Sequence, residues 1–408
     1  MDTSFAFDVI SVGISCLLIV AVGYFLSYFK FLKPKDFQRA DRFAGKVCFP
    51  ILQYRCLAYR KLKEYKFEPL FNAMLMNGSS QILLLIFFIF PKFLINDSLE
   101  FYLSTTISSV FVNYVPIGAI VIEQVWGAGL EHIIGICPLS NFLILVPFFL
   151  IESKLWEIKK TKEKLFLESQ KKEMTSNIVQ QQEENIEDQS ISSTSISNSE
   201  VANPRDETDK LNDKLLENPT QQQIVSKQST NDKKGDDSMR ITWRDVLTAF
   251  LSAISAPIVV GTLIGFFWSL FGIPYPPFLD IIGTFMGDIV LIFGLLGVGH
   301  VLQTNGLIAC HWIQLIFLLF VRFFLCPSIS WFYAFLFKLK GKVARMSIIF
   351  SALPSSNGAY VIAQTAGVGV KATSSMILFT LVLIVPVLIL WFYIFDKLGV
   401  YMDDDEYF

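Results

Sequence analysis

Apolar residues run in blocks too long for a soluble helix, and most lack the polar stripe of an amphipathic surface helix. A helix crossing a bilayer needs roughly 20 mostly apolar residues. Residues 7–29, 70–95, 101–125 and 130–151 meet that test in the first part of the chain. Residues 43–57 form a shorter block that carries Lys46, Pro50 and Arg55, and hydropathy alone leaves open whether it crosses. Residues 243–271, 278–302, 307–337, 346–364 and 374–395 make a second set. If 43–57 crosses, the pattern is five spans, a polar stretch and five more. Five is odd, so the second set enters the membrane from the opposite side, and two similar halves would form an inverted repeat. The expected fold is therefore all-α and polytopic, with ten transmembrane helices as a 5+5 inverted repeat. Residues 1–152 are the first repeat, 153–241 a linker, 242–396 the second repeat and 397–408 a short acidic tail.

Two blocks are interrupted at corresponding places, in the fourth span of each half. In the first, Val112-Asn-Tyr-Val-Pro-Ile-Gly118 places Asn113 and Pro116 in an apolar run. In the second, Pro354 is followed by Ser355, Ser356, Asn357 and Gly358. Proline alone merely kinks a membrane helix, as expected at Pro50, Pro138, Pro147, Pro327 and Pro386. Four weak helix formers in a row do more. In hydrocarbon every backbone N–H and C=O needs a partner, so a broken helix is tolerated only where protein or a water-filled cavity takes over the freed groups. Paired broken helices in matching halves point to the central site of a transporter.

The start of each second half-helix offers free N–H groups and about half a positive charge from the macrodipole. A carboxylate can bind there without a buried lysine. Asn113 and Asn357 add amide donors, and Gly118 and Gly358 permit close backbone approach. The substrate-binding candidates are Asn113, Pro116, Gly118, Pro354, Ser355, Ser356, Asn357 and Gly358. Ionisable residues inside spans are functional hypotheses by default. Glu123, Asp288 and His300 are candidates for coupling or gating, with a structural hydrogen bond as the plain alternative for each. His311 and Arg322 also stand in or at the ends of spans. Asn77-Gly-Ser-Ser-Gln81 is a further polar patch, for which helix packing and substrate contact are both open.

Composition adds exclusions. Of 408 residues, 53% are hydrophobic and 17% charged, with 39 Phe, unlike an ordinary soluble domain. The basic residues sit in short clusters beside apolar spans, not on one patch, so a nucleic-acid partner is not expected. The six cysteines have neither CxxC nor Cys/His ligand spacing, and read as small buried hydrophobes. No metal or cofactor is called for. The block at 7–29 is too long for a signal-peptide core, has no basic residue before it, and reads as a retained span.

Residues 152–240 are rich in Gln, Ser, Lys, Asp and Asn, with Gln180–Glu184 and Ser190–Ser195 as examples. Such a segment buries too little apolar area to offset its ordering entropy, so a disordered linker is expected. Within it, residues 153–173 intersperse Leu155, Trp156, Ile158, Leu165 and Leu167 with lysines, which fits either a helix on the membrane surface or a solvated stub. Lysines after the first and fifth spans place the linker in the cytoplasm by the positive-inside bias. Lys338, Lys340, Lys342 and Arg345 fall on the other face in the same arrangement. Asn96-Asp-Ser98 offers a check, since a glycan there would overturn this topology.

Several residues resemble a known family. Leu353-Pro-Ser-Ser-Asn-Gly-Ala-Tyr-Val-Ile-Ala363 is similar to the late broken helix of the auxin efflux carrier family. Asn113 and Gly118 resemble the Asn and Gly of its first broken helix, Trp126-Gly127 its following aromatic-Gly, and Arg322 with Pro327 an Arg-x-x-x-x-Pro element in the eighth span. The resemblance covers most of the chain outside the linker. Ile120 stands where the family commonly has a proline, this chain's coming earlier at Pro116, and Ala359 stands where plant carriers have a second proline, so the late motif looks closer to generic or bacterial-type members. The resemblance implies alternating access, with a mobile bundle carrying the crossed helices against a scaffold made of the first two spans of each half.

Gly287-Asp288 lacks the rest of an intramembrane aspartyl protease motif, and no phosphate loop or serine-hydrolase motif occurs, so an enzyme is not expected. The expected function is secondary transport of a small organic anion, a carboxylate that could be auxin-like. The alternatives are a receptor that uses a transporter fold and signals through the linker, and a channel. Expected partners are the anion and the lipid bilayer, with a homodimer and kinases acting on the serine-rich linker also admitted. The membrane is the plasma membrane or the endoplasmic reticulum and other endomembranes.

Overall fold

The computed structural model describes residues 3–60, 67–89, 98–118, 121, 125, 126, 136–192 and 241–401. Among them the regular elements are helices and no strand occurs. The chain divides into two units, Met1–Lys154 with Leu247–Phe408, and Leu155–Val246.

In the first unit, α1 (Thr3–Tyr28) turns Ile10, Ile14, Leu18, Val22 and Phe25 outward. An apolar stripe with no protein over it faces lipid. The helices α2 (Pro34–Phe43) and α3 (Phe49–Ala58) are joined by a π-helical turn, Ala44–Cys48, without interruption. This is the block whose hydropathy left its course open. Part of its polar content is turned inward: Gln53 is buried and Arg55 pairs with Asp280 at 2.7 Å, while Lys46 is exposed.

Next come α4 (Glu68–Ile89) and α5 (Ser98–Val110), then a π-helical turn over Tyr114–Gly118. Short turns at Pro138–Ser140 and Asn141–Leu145 lead into α6 (Val146–Ser192). After residue 240 follow α7 (Trp243–Ile254) and α8 (Pro257–Leu270), bent by 57° at Pro257. The rest is α9 (Pro277–Asn305), α10 (Trp312–Phe320), a π-helical turn Val321–Leu325, α11 (Cys326–Leu336), α12 (Gly341–Ser351), α13 (Asn357–Ala366) and α14 (Val370–Leu398).

Five helical stretches among the described residues are long and apolar enough to cross a membrane: Glu68–Phe88, Pro138–Lys172, Pro277–Asn305, Trp312–Leu336 and Val370–Leu398. The bent pair α7–α8 makes a sixth. Helices α5, α12 and α13 stay below that length because the interruptions cut them.

In the second unit, α6 continues to Ser192, well into the stretch where the composition predicts a disordered linker. The physical reason is that Lys, Glu and Gln are strong helix formers even where nothing is buried. Within this unit Lys162 pairs with Asp245 at 2.6 Å, and Lys160 lies 4.3 Å over the Trp156 ring. Residues 193–240, Asn96 and Glu123 lie outside the described residues.

Glycines set the closest helix approaches in the first unit. A methyl group at Gly23 would overlap the backbone of Leu296, and one at Gly299 the backbone of Val20, which locks α1 to α9. Gly261 meets Pro50 and Gly265 meets Tyr54 in the same way, locking α8 to α3. Small residues allow this approach where the hydrophobic effect cannot drive helices together. Helix α4 is tied to α11 by polar contacts instead. Asn72 Nδ2 donates to Ser330 O at 2.9 Å, Ser330 Oγ donates to Asn72 Oδ1 at 2.8 Å, and Ser79 and Tyr333 hydroxyls meet at 2.6 Å.

Candidate functional site

The two interruptions meet. Asn113 N donates to Pro354 O at 3.0 Å and Ser356 N donates to Phe111 O at 3.2 Å, an antiparallel bridge that pairs Val112 with Ser355. Each break thus satisfies backbone groups freed by the other, which answers the demand that hydrocarbon makes of a broken helix. Neighbours take the remainder. Ser355 N donates to Thr380 Oγ1 at 3.2 Å, and Ser355 Oγ donates to Ser108 O at 2.7 Å. Asn141 Nδ2 donates to Val112 O at 3.0 Å, and Asn77 Nδ2 donates to Asn141 Oδ1 at 3.1 Å. Asn77 therefore braces the first break from behind.

One side of the crossing is closed by Arg322, which is fully buried. Its Nε donates to Leu353 O at 2.5 Å, Nη1 to Ser109 O at 3.0 Å and Val110 O at 3.2 Å, and Nη2 to Pro354 O at 3.4 Å. Ser109 and Val110 end α5, where the macrodipole is negative and the last C=O groups lack intrahelical partners, and Leu353 and Pro354 lie just past the end of α12. A planar guanidinium with five donors fits such a cluster. Arg322 sits in the π-helical turn ahead of Pro327. Proline removes the hydrogen bond to the carbonyl four residues back, and Trp391 Nε1 takes over that group, Phe323 O, at 3.0 Å.

The other side is open. Helix α13 starts at Asn357, with Ser356 as its N-cap, whose Oγ accepts from Gly358 N at 3.1 Å. A cavity of about 250 Å³ lies there. Asn113, Tyr114, Ser356, Asn357 and Gly358 of the breaks line it, with Gln53 and Arg55 of α3 and Thr284 and Asp288 of α9 opposite. Phe49, Leu52, Phe111, Phe142 and Leu291 give it an apolar wall. Among the described residues, the side-chain amides of Asn113 and Asn357 have no hydrogen-bond partner.

Of the residues singled out in the sequence, Asn113, Ser356, Asn357, Gly358 and Asp288 come together at this cavity. Pro354 and Ser355 are buried in the bridge behind it. Gly118 is a packing position: a Cβ there would stand 3.0 Å from Leu353 Cδ1. Pro116 lies in the π-helical turn Tyr114–Gly118, and its side chain is outside the described residues. His300 is elsewhere, its ring stacked on Phe37 at 4.4 Å and its Nδ1 2.8 Å from Ser27 Oγ. His311 caps α10, with Nδ1 accepting from Ile313 N at 3.4 Å. Gln53, Arg55 and Thr284, like Tyr114 and Asn141, line the cavity without having been singled out in the sequence. Arg55 reads there as a defect in a weak span, although the rule that singles out Asp288 applies to it equally.

Apolar helices long enough to span a bilayer, two of them interrupted and crossed beside a polar cavity, make up the layout of a membrane transport protein. The family described as membrane transport protein, which comprises auxin efflux carrier-like proteins, matches residues 9–392, and the chain belongs to it. It is a transporter family, not an enzyme family. No curated protein matches the chain.

Proposed function

We propose that the chain is a secondary transporter that moves a small organic anion across its membrane by alternating access, holding a carboxylate at the crossed half-helix ends. The observation that carries this reading is the pair of unpartnered amides, Asn113 and Asn357, facing one cavity beside the N-terminal end of α13. Unpartnered donors next to a positive helix end are an anion site. Arg55 opposite adds a cation whose charge is shared with Asp280, and the apolar wall suits the hydrocarbon part of an aromatic or short aliphatic acid. A volume of about 250 Å³ stands at the small end of ligand pockets.

The fold that goes with this function is ten spans in two oppositely oriented halves, with the linker in the cytoplasm. Its support is the exchange of partners. Helix α1, the first span of one half, locks to α9, the second span of the other, and α3 locks to α8 in the reciprocal way. The two breaks pair with each other, as a two-fold relation requires. The locked helices form the scaffold, and the crossing with α5, α12 and α13 is the moving part. Family membership favours transport over a receptor that signals through the linker.

The test is uptake of labelled indole-3-acetate, benzoate and malate into proteoliposomes, with protein-free vesicles as the blank. Saturable uptake accelerated by unlabelled substrate inside the vesicles is expected for at least one of them. Absence of saturable flux for all three would sink the reading, and unitary currents would make the chain a channel.

A further inference from the structure

Asp41 does not line the cavity, and among the described residues of the first unit it is the buried acid. It lies on α2, 2% exposed. The Tyr360 hydroxyl donates to its Oδ2 at 2.9 Å, while Oδ1 is buried with no hydrogen-bond partner. Tyr360 is 1% exposed and stands one turn beyond Asn357 on α13. The half-helix that offers Asn357 to the cavity therefore offers Tyr360 to Asp41. Gly297 of α9 keeps the room for the pair: a Cβ there would stand 2.5 Å from Tyr360 Oη and 2.8 Å from Asp41 Oδ1.

No cation answers this carboxyl. Among the described residues Asp41 forms no ion pair. Helix α13 brings only Tyr360 to it. Helix α9 brings His300, which is turned onto Phe37 and Ser27, while its Asp280 and Asp288 lie further toward its start. On the helical run of Asp41 itself, Arg42 and Lys46 are exposed and Cys48 is a buried free cysteine. An ionised Asp41 would be a buried charge with one hydrogen bond and no counter-ion, which is among the costliest arrangements a protein can hold. The neutral acid keeps the Tyr360 bond and sheds the charge. A metal cation is not the fit, because one free oxygen falls far short of the six or so that hard cations take.

We propose that Asp41 is the proton site of this transporter. One proton from water forms an O–H bond at Oδ1 as α13 closes on α2. The bond breaks, and the proton returns to water, when α13 withdraws Tyr360 and the carboxylate is hydrated. Movement of the anion at Asn357 and of the proton at Asp41 are then linked by one rigid half-helix. The proposal rests on the transport reading for its purpose, and its first test does not.

That first test is an infrared difference spectrum of the purified protein at neutral pH, wild type against Asp41→Asn. A protonated-carboxyl C=O band present in the wild type, lost in Asp41→Asn and shifted in Tyr360→Phe is expected. If no such band separates wild type from Asp41→Asn, Asp41 is ionised and the proposal falls. Should Asp41→Asn fail to fold, Tyr360→Phe decides alone, since an unshifted spectrum would also overturn the assignment. The second test takes whichever of indole-3-acetate, benzoate and malate the wild type carries. With one proton linked to each anion carried, an inward proton gradient should accelerate the saturable part of uptake, taken after subtracting permeation of the neutral acid into protein-free vesicles. Asp41→Asn should lose this acceleration while still exchanging substrate across the membrane, and full gradient-driven acceleration in Asp41→Asn would overturn the proposal. If the wild type carries none of the three anions, the transport reading fails and the infrared result still stands for or against a protonated Asp41.

Discussion

The two sides of the helix crossing arise from one pair of breaks, yet they end in opposite states. On the side of the C-terminal half-helix ends, one guanidinium takes up four carbonyl oxygens from the end of α5 and the residues just after α12. On the side of the N-terminal end, the side-chain amides of Asn113 and Asn357, which have no hydrogen-bond partner among the described residues, face a cavity beside the start of α13. A break inside a membrane exposes groups of both signs. This protein satisfies the acceptors with its own Arg322 and leaves the amide donors facing the cavity, where the proposed anion would bind. On that proposal stability and binding lie on opposite sides of the crossing, and substitutions on the two sides should fail differently.

The largest effect is expected at Arg322. Arg322→Leu strands the buried carbonyls of Ser109, Val110 and Leu353, each at roughly 1–3 kcal/mol against a total stability of about 5–15 kcal/mol, while Pro354 O keeps its bond from Asn113 N. Size-exclusion chromatography of the expressed variant should find little or no monodisperse protein, and Arg322→Lys should fold but unfold at a lower temperature. Monodisperse Arg322→Leu with wild-type unfolding would erase the distinction between the two sides. Next comes Gly358→Asp, which brings a Cβ within 2.9 Å of the Phe49 ring and a negative charge to the anion side. Uptake should vanish while the protein remains folded.

A milder effect sharpens the same contrast. Asn113→Ala and Asn357→Ala remove donors that hold nothing up, so melting should stay within error of wild type while uptake falls about tenfold, or ~1.4 kcal/mol. Unchanged flux in both would remove the proposed binding side. The smallest effect is expected for Asn77→Ala, which removes one buried support of the first break. It should cost about 1 kcal/mol of stability with near-normal uptake, the reverse of the pattern at Asn357. A loss of uptake at unaltered stability would place Asn77 with the substrate instead.

The breaks were legible in the sequence because a proline followed by Ser355, Ser356, Asn357 and Gly358 contradicts both the hydropathy and the helix propensity of its surroundings. Arg322 was visible as an intramembrane charge, but nothing in its neighbours tells where a long flexible side chain points. Arg55 and Asp41 were harder still. In one dimension Arg55 lowers the apolar score of a short block, and only the packing of α2 and α3 against α9 turns both inward. Gly118 shows the converse. It matched the pattern of a binding residue, and its lack of a side chain serves the packing of Leu353 and Phe350. In the linker, composition pointed to disorder, yet α6 runs on to Ser192.

By itself the sequence determined that the chain lives in a membrane, where its helices are interrupted, and to which family it belongs. Those properties are sums over neighbouring residues, and neighbours are what a sequence records. The tertiary structure alone decided that the breaks satisfy each other, that Arg322 closes one side, and that Asp41 meets Tyr360. These are choices of partner between segments far apart in the chain, 247 residues in the bond from Ser355 Oγ to Ser108 O and 319 in that from Tyr360 to Asp41. The requirement that backbone groups be satisfied in hydrocarbon says that a partner must exist, and only the packed helices say which one it is.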